Sequence, residues 1–292
     1  MSLEASELIL NPDGSIYHLN LHPDDLAGTV ILVGDPDRVP RVSRFFDRIE
    51  IDKSKREFVT HTGWYKGNRI SVVSTGIGTD NIDIVLNELD ALVNIDFQDK
   101  QVLKEHTRLK LIRVGTSGAI QPDISLDSWV LSELALGLDG LLHFYDSGHV
   151  QLADLQFAFM EYSNWSVLKP APYAVSADAT LFKQLYSERT LHGFTATNSG
   201  FYAPQGRALR LGLEDADMLK ALASFTYKDI HITNMEMETA AIFGLSALLG
   251  HSAASISCIL ANRATGMFSS DPGASVDHLI EYTLEKITED SQ

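Results

Sequence analysis

Apolar, β-branched runs alternate with helical patterns along almost all of the 292 residues. TVILVG at 29–34 is a continuous apolar run of strand length, and positions 36–46 read as the helix after it. EFVTHTGWYKGNRISVVSTG at 57–76 predicts a hairpin turning at Lys66-Gly67-Asn68. Residues 80–93 read as a helix, LKLIRVG at 109–115 as a buried strand, and SWVLSELAL at 128–136 as a further strand. An amphipathic stretch at 178–191 leads to strand-like GFTATNSG at 193–200 and a helix at 214–224. NMEMETAAIFGLSALLG at 234–250 reads as a helix, SAASISCILA at 252–261 as a strand, and 276–287 as a closing amphipathic helix. Residues 146–173 are the least regular and read as a long excursion over the surface.

This alternation predicts an α/β protein, a single domain spanning 1–292. It would be a three-layer sandwich with a mixed, mainly parallel sheet and helices on both faces. No internal repeat, low-complexity tract or Pro/Gly/Ser linker divides it. Ligands of such folds gather at the carboxyl ends of strands, so the residues just after each strand carry the most information.

Composition adds limits. With 45% hydrophobic and 21% charged residues the chain is ordinary for a globular protein. A formal net charge of −16 argues against nucleic acid and anionic membranes, though a small anion remains compatible if the few arginines gather. The single cysteine, Cys258, excludes an internal disulfide. No run approaches membrane-spanning length, and MSLEASELIL lacks a basic region and a cleavage signature. The expected location is the cytoplasm.

The oddest residues are Glu236 and Glu238. Read as helical, Glu238 shares its face with Ala241, Ile242, Leu245 and Leu249. Burying an unpaired carboxylate costs several kcal/mol, so it needs a partner or a role. For Glu236 a plainer reading stands beside this: a helix-start carboxylate meeting free amides. After the first strand comes GDPDR, where Asp35 reads as a helix cap and Pro36 as its first turn. Gly34 leaves room for close approach, and Arg38 sits where amides and a guanidinium together hold an anion. Alone, the motif is a capped helix with a surface arginine. STGIG at 74–78 is a weak phosphate-loop signal. RVGTSGAI at 113–120 is stronger, because Arg113 lies inside an apolar strand and Gly115-Thr116-Ser117-Gly118 offers amides and two hydroxyls behind it. GFYAPQGR at 200–207 offers the Phe201 ring, with Gln205 and Arg207 to read a planar, amide-bearing base. In isolation, a polar loop with a buried phenylalanine is the better reading. Asn262 and Arg263, after the last strand, lie close to the site by the logic of the fold and read as structural.

In this order YHLNL (17–21), GDPDR, KREF (55–58), STGIG, RVGTSGAI, GFYAPQGR and EMET (236–239) resemble the nucleoside phosphorylase superfamily, which includes uridine phosphorylases and hexameric purine nucleoside phosphorylases. GDPDR, RVGTSG and EMET together are specific for the superfamily, and the Phe-x-x-x-Gln-x-Arg spacing points to its uridine branch. The resemblance implies reversible phosphorolysis of uridine to uracil and ribose 1-phosphate. Inorganic phosphate is the co-substrate, with no redox cofactor and no catalytic metal. It assigns phosphate to Gly34, Arg38, Arg113 and Thr116, with Arg56 arriving from a neighbouring subunit. The base falls to Phe201, Gln205 and Arg207 beside Ser117 and Gly118, and the ribose to Thr116, Glu236, Met237 and Glu238. His18 would close over the far end of the ribose from the partner chain. The catalytic burden falls on Arg38, Arg113, Arg207 and Glu238, whose missing partners would be sugar hydroxyls. Shared sites imply a homo-oligomer built from dimers, either a dimer or a hexamer. Some relatives bind a monovalent cation at positions matching Glu57 and Asn81, which leaves that site open here.

Departures are Ser117 in place of a second threonine, SLDSW (125–129) without its expected glycine, TDN (79–81) in place of small residues, and the segment 146–173. A purine nucleoside phosphorylase normally uses an acidic residue to protonate the base, and nothing here replaces Gln205 and Arg207 in that role. A nucleoside hydrolase of the same superfamily would not need Arg38 and Arg113. A non-catalytic nucleoside-binding protein is the remaining alternative.

Overall fold

The strand after the first twenty-odd residues shows how the layers arise. In the computed structural model, which describes residues 3–289, TVILV forms β1 (Thr29–Val33). Val30 and Leu32 pack into one core and Ile31 and Val33 into another, as the two-residue period of a strand requires. The first core also holds Ile82, Leu86 and Leu89 of one helix and Ala241, Ile242 and Leu245 of another. The second holds Val39, Leu181, Leu279 and Ile280 from three further helices. One sheet between two helical layers follows.

The sheet strands after β1 are β2 (Arg48–Lys55), β3 (Phe58–Tyr65), β4 (Asn68–Ser74), β5 (Lys110–Ala119) and β6 (Trp129–Gly137). They continue as β7 (Tyr173–Ser176), β8 (Thr190–Thr197), β9 (Asn234–Glu236), β10 (Ser252–Asn262) and β11 (Met267–Phe268). The helices are α1 (Arg38–Ser43), α2 (Thr79–Asn94), α3 (Ala153–Ser163), α4 (Ala179–Leu185), α5 (Met218–Ser224), α6 (Thr239–Leu249) and α7 (Pro272–Thr288). The strands run in the order β11-β10-β6-β8-β9-β5-β1-β4-β3-β2, with β7 beside β6. Because β10 pairs with β5 as well as β6, the strands β10, β6, β8, β9 and β5 close into a ring.

The site is created by a fork on β5. β10 runs along one edge of β5 from Lys110 to Ala119. On the other edge β1 is paired in parallel through Leu32↔Arg113, and β9 is paired antiparallel from Met235↔Gly118. Among the described residues, 114–117 of β5 therefore have no strand partner on that edge, and the carboxyl ends of β1 and β9 run towards each other across the gap. A sheet opening at strand carboxyl ends is where α/β folds bind ligands.

Several expectations shift. The helix expected at 36–46 is the short α1, and Asp35 does not cap it: its Oδ1 accepts the Asp37 N–H at 3.0 Å. The stretch 234–250 is two elements, because Asn234–Glu236 pairs as β9 and the helix starts only at Thr239. Sheet pairing outweighed the helical periodicity there. The segment 146–173 is not a bare surface excursion, since it contains α3, whose Leu155 and Phe159 are fully buried against Leu222 and Phe225. β2 was missed because RIEIDKSK is an edge strand with five of its eight residues exposed. At SLDSW, Asp127 takes the left-handed conformation (φ 65°) that a glycine would otherwise supply. Among the described residues no helix is long and apolar enough to cross a membrane.

Candidate active site

The start of α6 organises the site. Glu236 is buried at the end of β9, and its Oε2 accepts the N–H groups of Glu238 and Thr239, both at 2.9 Å. Its Oε1 accepts the Thr197 hydroxyl at 2.6 Å, and that hydroxyl in turn accepts the Ala240 N–H at 2.9 Å. Glu236 therefore satisfies free amides at a helix start, the plainer of its two readings.

Glu238 is also buried and already has two partners in its own chain, an amide and a guanidinium, beside the sugar hydroxyls expected for it. Its Oε1 accepts the Gly78 N–H at 2.8 Å, and its Oε2 accepts Arg113 Nη2 at 2.6 Å. Gly78 (φ 97°) donates from a conformation that favours glycine, at the start of α2. A carboxylate has about four acceptor positions, so capacity for a hydroxyl remains. Burial raises the Glu238 carboxyl above its ordinary range, and Glu236 adds to this while Arg113 opposes it.

Arg113 lies beneath the fork. Its Nη2 is 3.2 Å from Glu236 as well, and its Nη1 donates to Ser257 Oγ at 2.9 Å. Burial works against its charge, but Glu236 and Glu238 together outweigh it and hold the guanidinium more firmly protonated than usual. The side chain folds back over Gly115, where an added Cβ would lie 1.9 Å from Nη1. The glycine of RVG is thus required by its own arginine.

Arg38 is different. It is buried, donates Nη1 to the Val114 carbonyl at 3.2 Å, and leaves Nε without a hydrogen-bond partner among the described residues. Burial, then repulsion from Arg113, pushes its guanidinium down to about 10. Asp35 opposes this only in part, and among the described residues no carboxylate pairs with Arg38 directly, so this buried cation at the edge of a cavity is poised for an anion, which would reverse that shift. Inorganic phosphate is therefore expected to raise the melting temperature, with a stabilisation of about 2.7 kcal/mol at a hundredfold excess over Kd. In Arg38→Met most of that shift should vanish; a scan showing the same shift in both proteins would remove Arg38 from anion binding.

A cavity of about 1000 Å³ opens over the fork. It is lined by Gly34 and Arg38 after β1, by Arg113, Thr116, Ser117 and Gly118 of β5, and by Glu236, Met237 and Glu238 after β9. Phe201, Gln205 and Arg207 complete it after β8. Gln205 and Arg207 do not lie on an extended segment. Ala203–Gln205 is a single 3-10 turn, and Arg207 folds back to donate to Gln205 Oε1 at 2.6 Å and to the Phe201 carbonyl at 2.7 Å. The Arg207 guanidinium lies 3.9 Å from the Phe201 ring centroid. Burial, then Arg263, pushes Arg207 down to about 10.

Two sequence-chosen residues lie outside this cavity, His18 and Arg56. They gather with Lys55 around Tyr17, the Arg56 guanidinium 5.8 Å and the Lys55 ammonium 4.3 Å from its ring centroid. Glu57, next to Arg56, does line the cavity, as does Asn81. Sequence reasoning read Arg263 as structural and passed over Met267 and Phe268. Arg263 lines the cavity and donates to the carbonyls of Gln205 at 2.9 Å and Gly206 at 3.3 Å, bracing the turn that carries Gln205. Met267 and Phe268 of β11 also line the cavity and are exposed. Asn262 also lines the cavity, and its side chain donates to the carbonyls of Gln121 and Ile124.

Comparison with known proteins adds independent findings. A curated uridine phosphorylase of Thermococcus kodakarensis is 31% identical over 256 residues, covering 88% of this chain and 80% of that protein. A DeoD-type purine nucleoside phosphorylase of Bacillus cereus is 28% identical over 271 residues, covering 92% of this chain and 97% of the relative. Among solved structures, a Trypanosoma brucei nucleoside phosphorylase described as showing uridine phosphorylase activity superposes with a TM-score of 0.87 at 28% identity, covering 97% of this chain and 100% of that one. The Phosphorylase superfamily model matches residues 29–288, from the first residue of β1 to the last of α7. Its match thus takes in the fork, both arginines and the glutamates of EMET, and the chain belongs to the Phosphorylase superfamily.

Proposed function

We propose that this chain catalyses the reversible phosphorolysis of uridine to uracil and ribose 1-phosphate. The observation that carries the reading is the order of groups across the sheet. Arg38 follows β1, Arg113 and Thr116 lie on β5, Met237 and Glu238 follow β9, and Phe201, Gln205 and Arg207 follow β8. Phosphate, ribose and base occur in the same order in the reacting complex. Uridine phosphorylases among the relatives, and the amide-plus-guanidinium pair at the base end, favour uridine over the purine reading that the DeoD-type relative suggests.

In this reading Arg38, with Gly34 and Thr116, holds phosphate beside the anomeric carbon. Glu238 accepts a hydrogen bond from a ribose hydroxyl, and Arg113, 2.6 Å away, favours its ionised form against the burial that raises it. As the C1′–N1 bond breaks, positive charge grows on the ribose and its electron pair passes to uracil. Phosphate oxygen then bonds to C1′, and Gln205 and Arg207 donate to the uracil oxygens that gain negative charge. Positioning and electrostatics account for the acceleration. A second copy would add Arg56 to the phosphate site and His18 to the ribose, consistent with both lying outside the cavity of their own chain. We infer a cytoplasmic enzyme that works without a redox cofactor. Glu57 and Asn81 both line the cavity beside Gly76, and these are the positions that would hold a monovalent cation.

The direct test measures uracil release from uridine and hypoxanthine release from inosine, each with and without phosphate. Release from uridine, strictly dependent on phosphate, is expected. Release without phosphate would make the chain a hydrolase, and release from inosine alone would move it to the purine branch.

A further inference from the structure

Glu88 lies in the third turn of α2 and does not line the cavity, and among the described residues one dipeptide takes all of its hydrogen bonds. Its carboxylate accepts the His18 N–H at 3.0 and 3.1 Å, the Leu19 N–H at 2.8 Å, and His18 Nδ1 at 2.6 Å. A carboxylate only accepts, so Nδ1 carries the hydrogen, and the neutral imidazole then has its lone pair on Nε2. The ring is held edge-on to Tyr17 and to Phe58, at centroid distances of 4.8 and 6.3 Å. Lys55 ties the same segment down, donating to Asn11 Oδ1 at 2.8 Å and to the Tyr17 carbonyl at 2.5 Å, so the His18 loop and the Arg56 turn form one unit. Fixing a loop would need only the two backbone contacts. The contact to the ring does something further, since it selects a tautomer on a side chain that remains 24% exposed and does not line its own cavity.

We propose that Glu88 is a positioning residue: it holds the His18 imidazole in the Nδ1–H form and presents Nε2 to the 5′-hydroxyl of a ribose bound in a neighbouring copy. This rests on the reading of the protein as a uridine phosphorylase with shared sites. Ordering of a ring by a carboxylate on its far nitrogen is the device that orients many metal-binding and catalytic histidines.

The test compares uridine with 5′-deoxyuridine, which lacks only the hydroxyl in question. Glu88→Gln keeps side-chain size and an acceptor for the loop amides, but offers the ring both a donor and an acceptor. It is expected to lower kcat/KM for uridine about tenfold, to leave 5′-deoxyuridine unchanged, and to add nothing when combined with His18→Ala. Imidazole ¹⁵N shifts should report His18 protonated at Nδ1 in the parent protein and a mixture of tautomers in Glu88→Gln. Equal losses on both substrates, or an Nε2-protonated His18 in the parent, would overturn the assignment of Glu88. If His18→Ala itself treats the two substrates alike, the shared ribose site fails instead. If neither substrate is turned over by the parent protein, the uridine reading fails.

Discussion

Arg113→Ala is expected to lower stability by about 3–5 kcal/mol and phosphorolysis by about a thousandfold. The substitution removes the cation that lies 2.6 Å from Glu238 and 3.2 Å from Glu236, leaving two buried carboxylates side by side. At least one must then take up a proton, and a protonated Glu238 no longer presents the same acceptors to a ribose hydroxyl. Arg113→Lys keeps a charge but loses the planar fork that reaches both Glu238 and Ser257. It should recover part of the stability and little of the rate. Urea unfolding and kcat/KM on the same preparations check both halves. An Arg113→Ala protein with near-normal stability would mean that the three buried charges do not act as a unit.

Gln205→Ala and Arg207→Ala are each expected to reduce uridine turnover by about a hundredfold while phosphate affinity changes little. The two side chains are joined at 2.6 Å, and both follow β8, across β9 and β5 from Arg38 on α1. Since Arg207 also lies over Phe201, its removal frees a ring face while taking away a donor. The double variant should therefore be less than additive. Saturation curves in uridine and in phosphate separate the outcomes: unimpaired turnover in both single variants would remove this turn from base recognition, and a parallel loss of phosphate affinity would show that the two ends of the cavity are not independent.

Much of the site was legible because its parts are local motifs. RVGTSG could be read from an arginine in an apolar strand followed by small residues, and the structure supplies the reason, since Arg113 folds over Gly115. GDPDR and GFYAPQGR were ambiguous alone and informative only in combination. Geometry among distant residues was not legible. That Glu238 is partnered by Gly78 and Arg113 depends on contacts 160 and 125 positions apart. The role of Arg263 depends on two backbone carbonyls of a turn nearly sixty residues away. The helix expected across 234–250 failed at its first residues because β9 gains partners from β8 and β5, which no local pattern of Asn-Met-Glu reveals.

By itself, the sequence determined the alternating strands and helices, the strand-end position of the arginines and glycines, and the membership that their order implies. Those features rest on local patterning, where side-chain period and backbone preference act within a few residues. Only the tertiary structure decided that β5 forks between β1 and β9, and that β10 closes the ring. It also decided that a buried glutamate finds an arginine before any substrate, and that His18 and Arg56 lie outside their own cavity. Such outcomes are set by which distant surfaces bury one another, and that competition is settled across the whole chain at once.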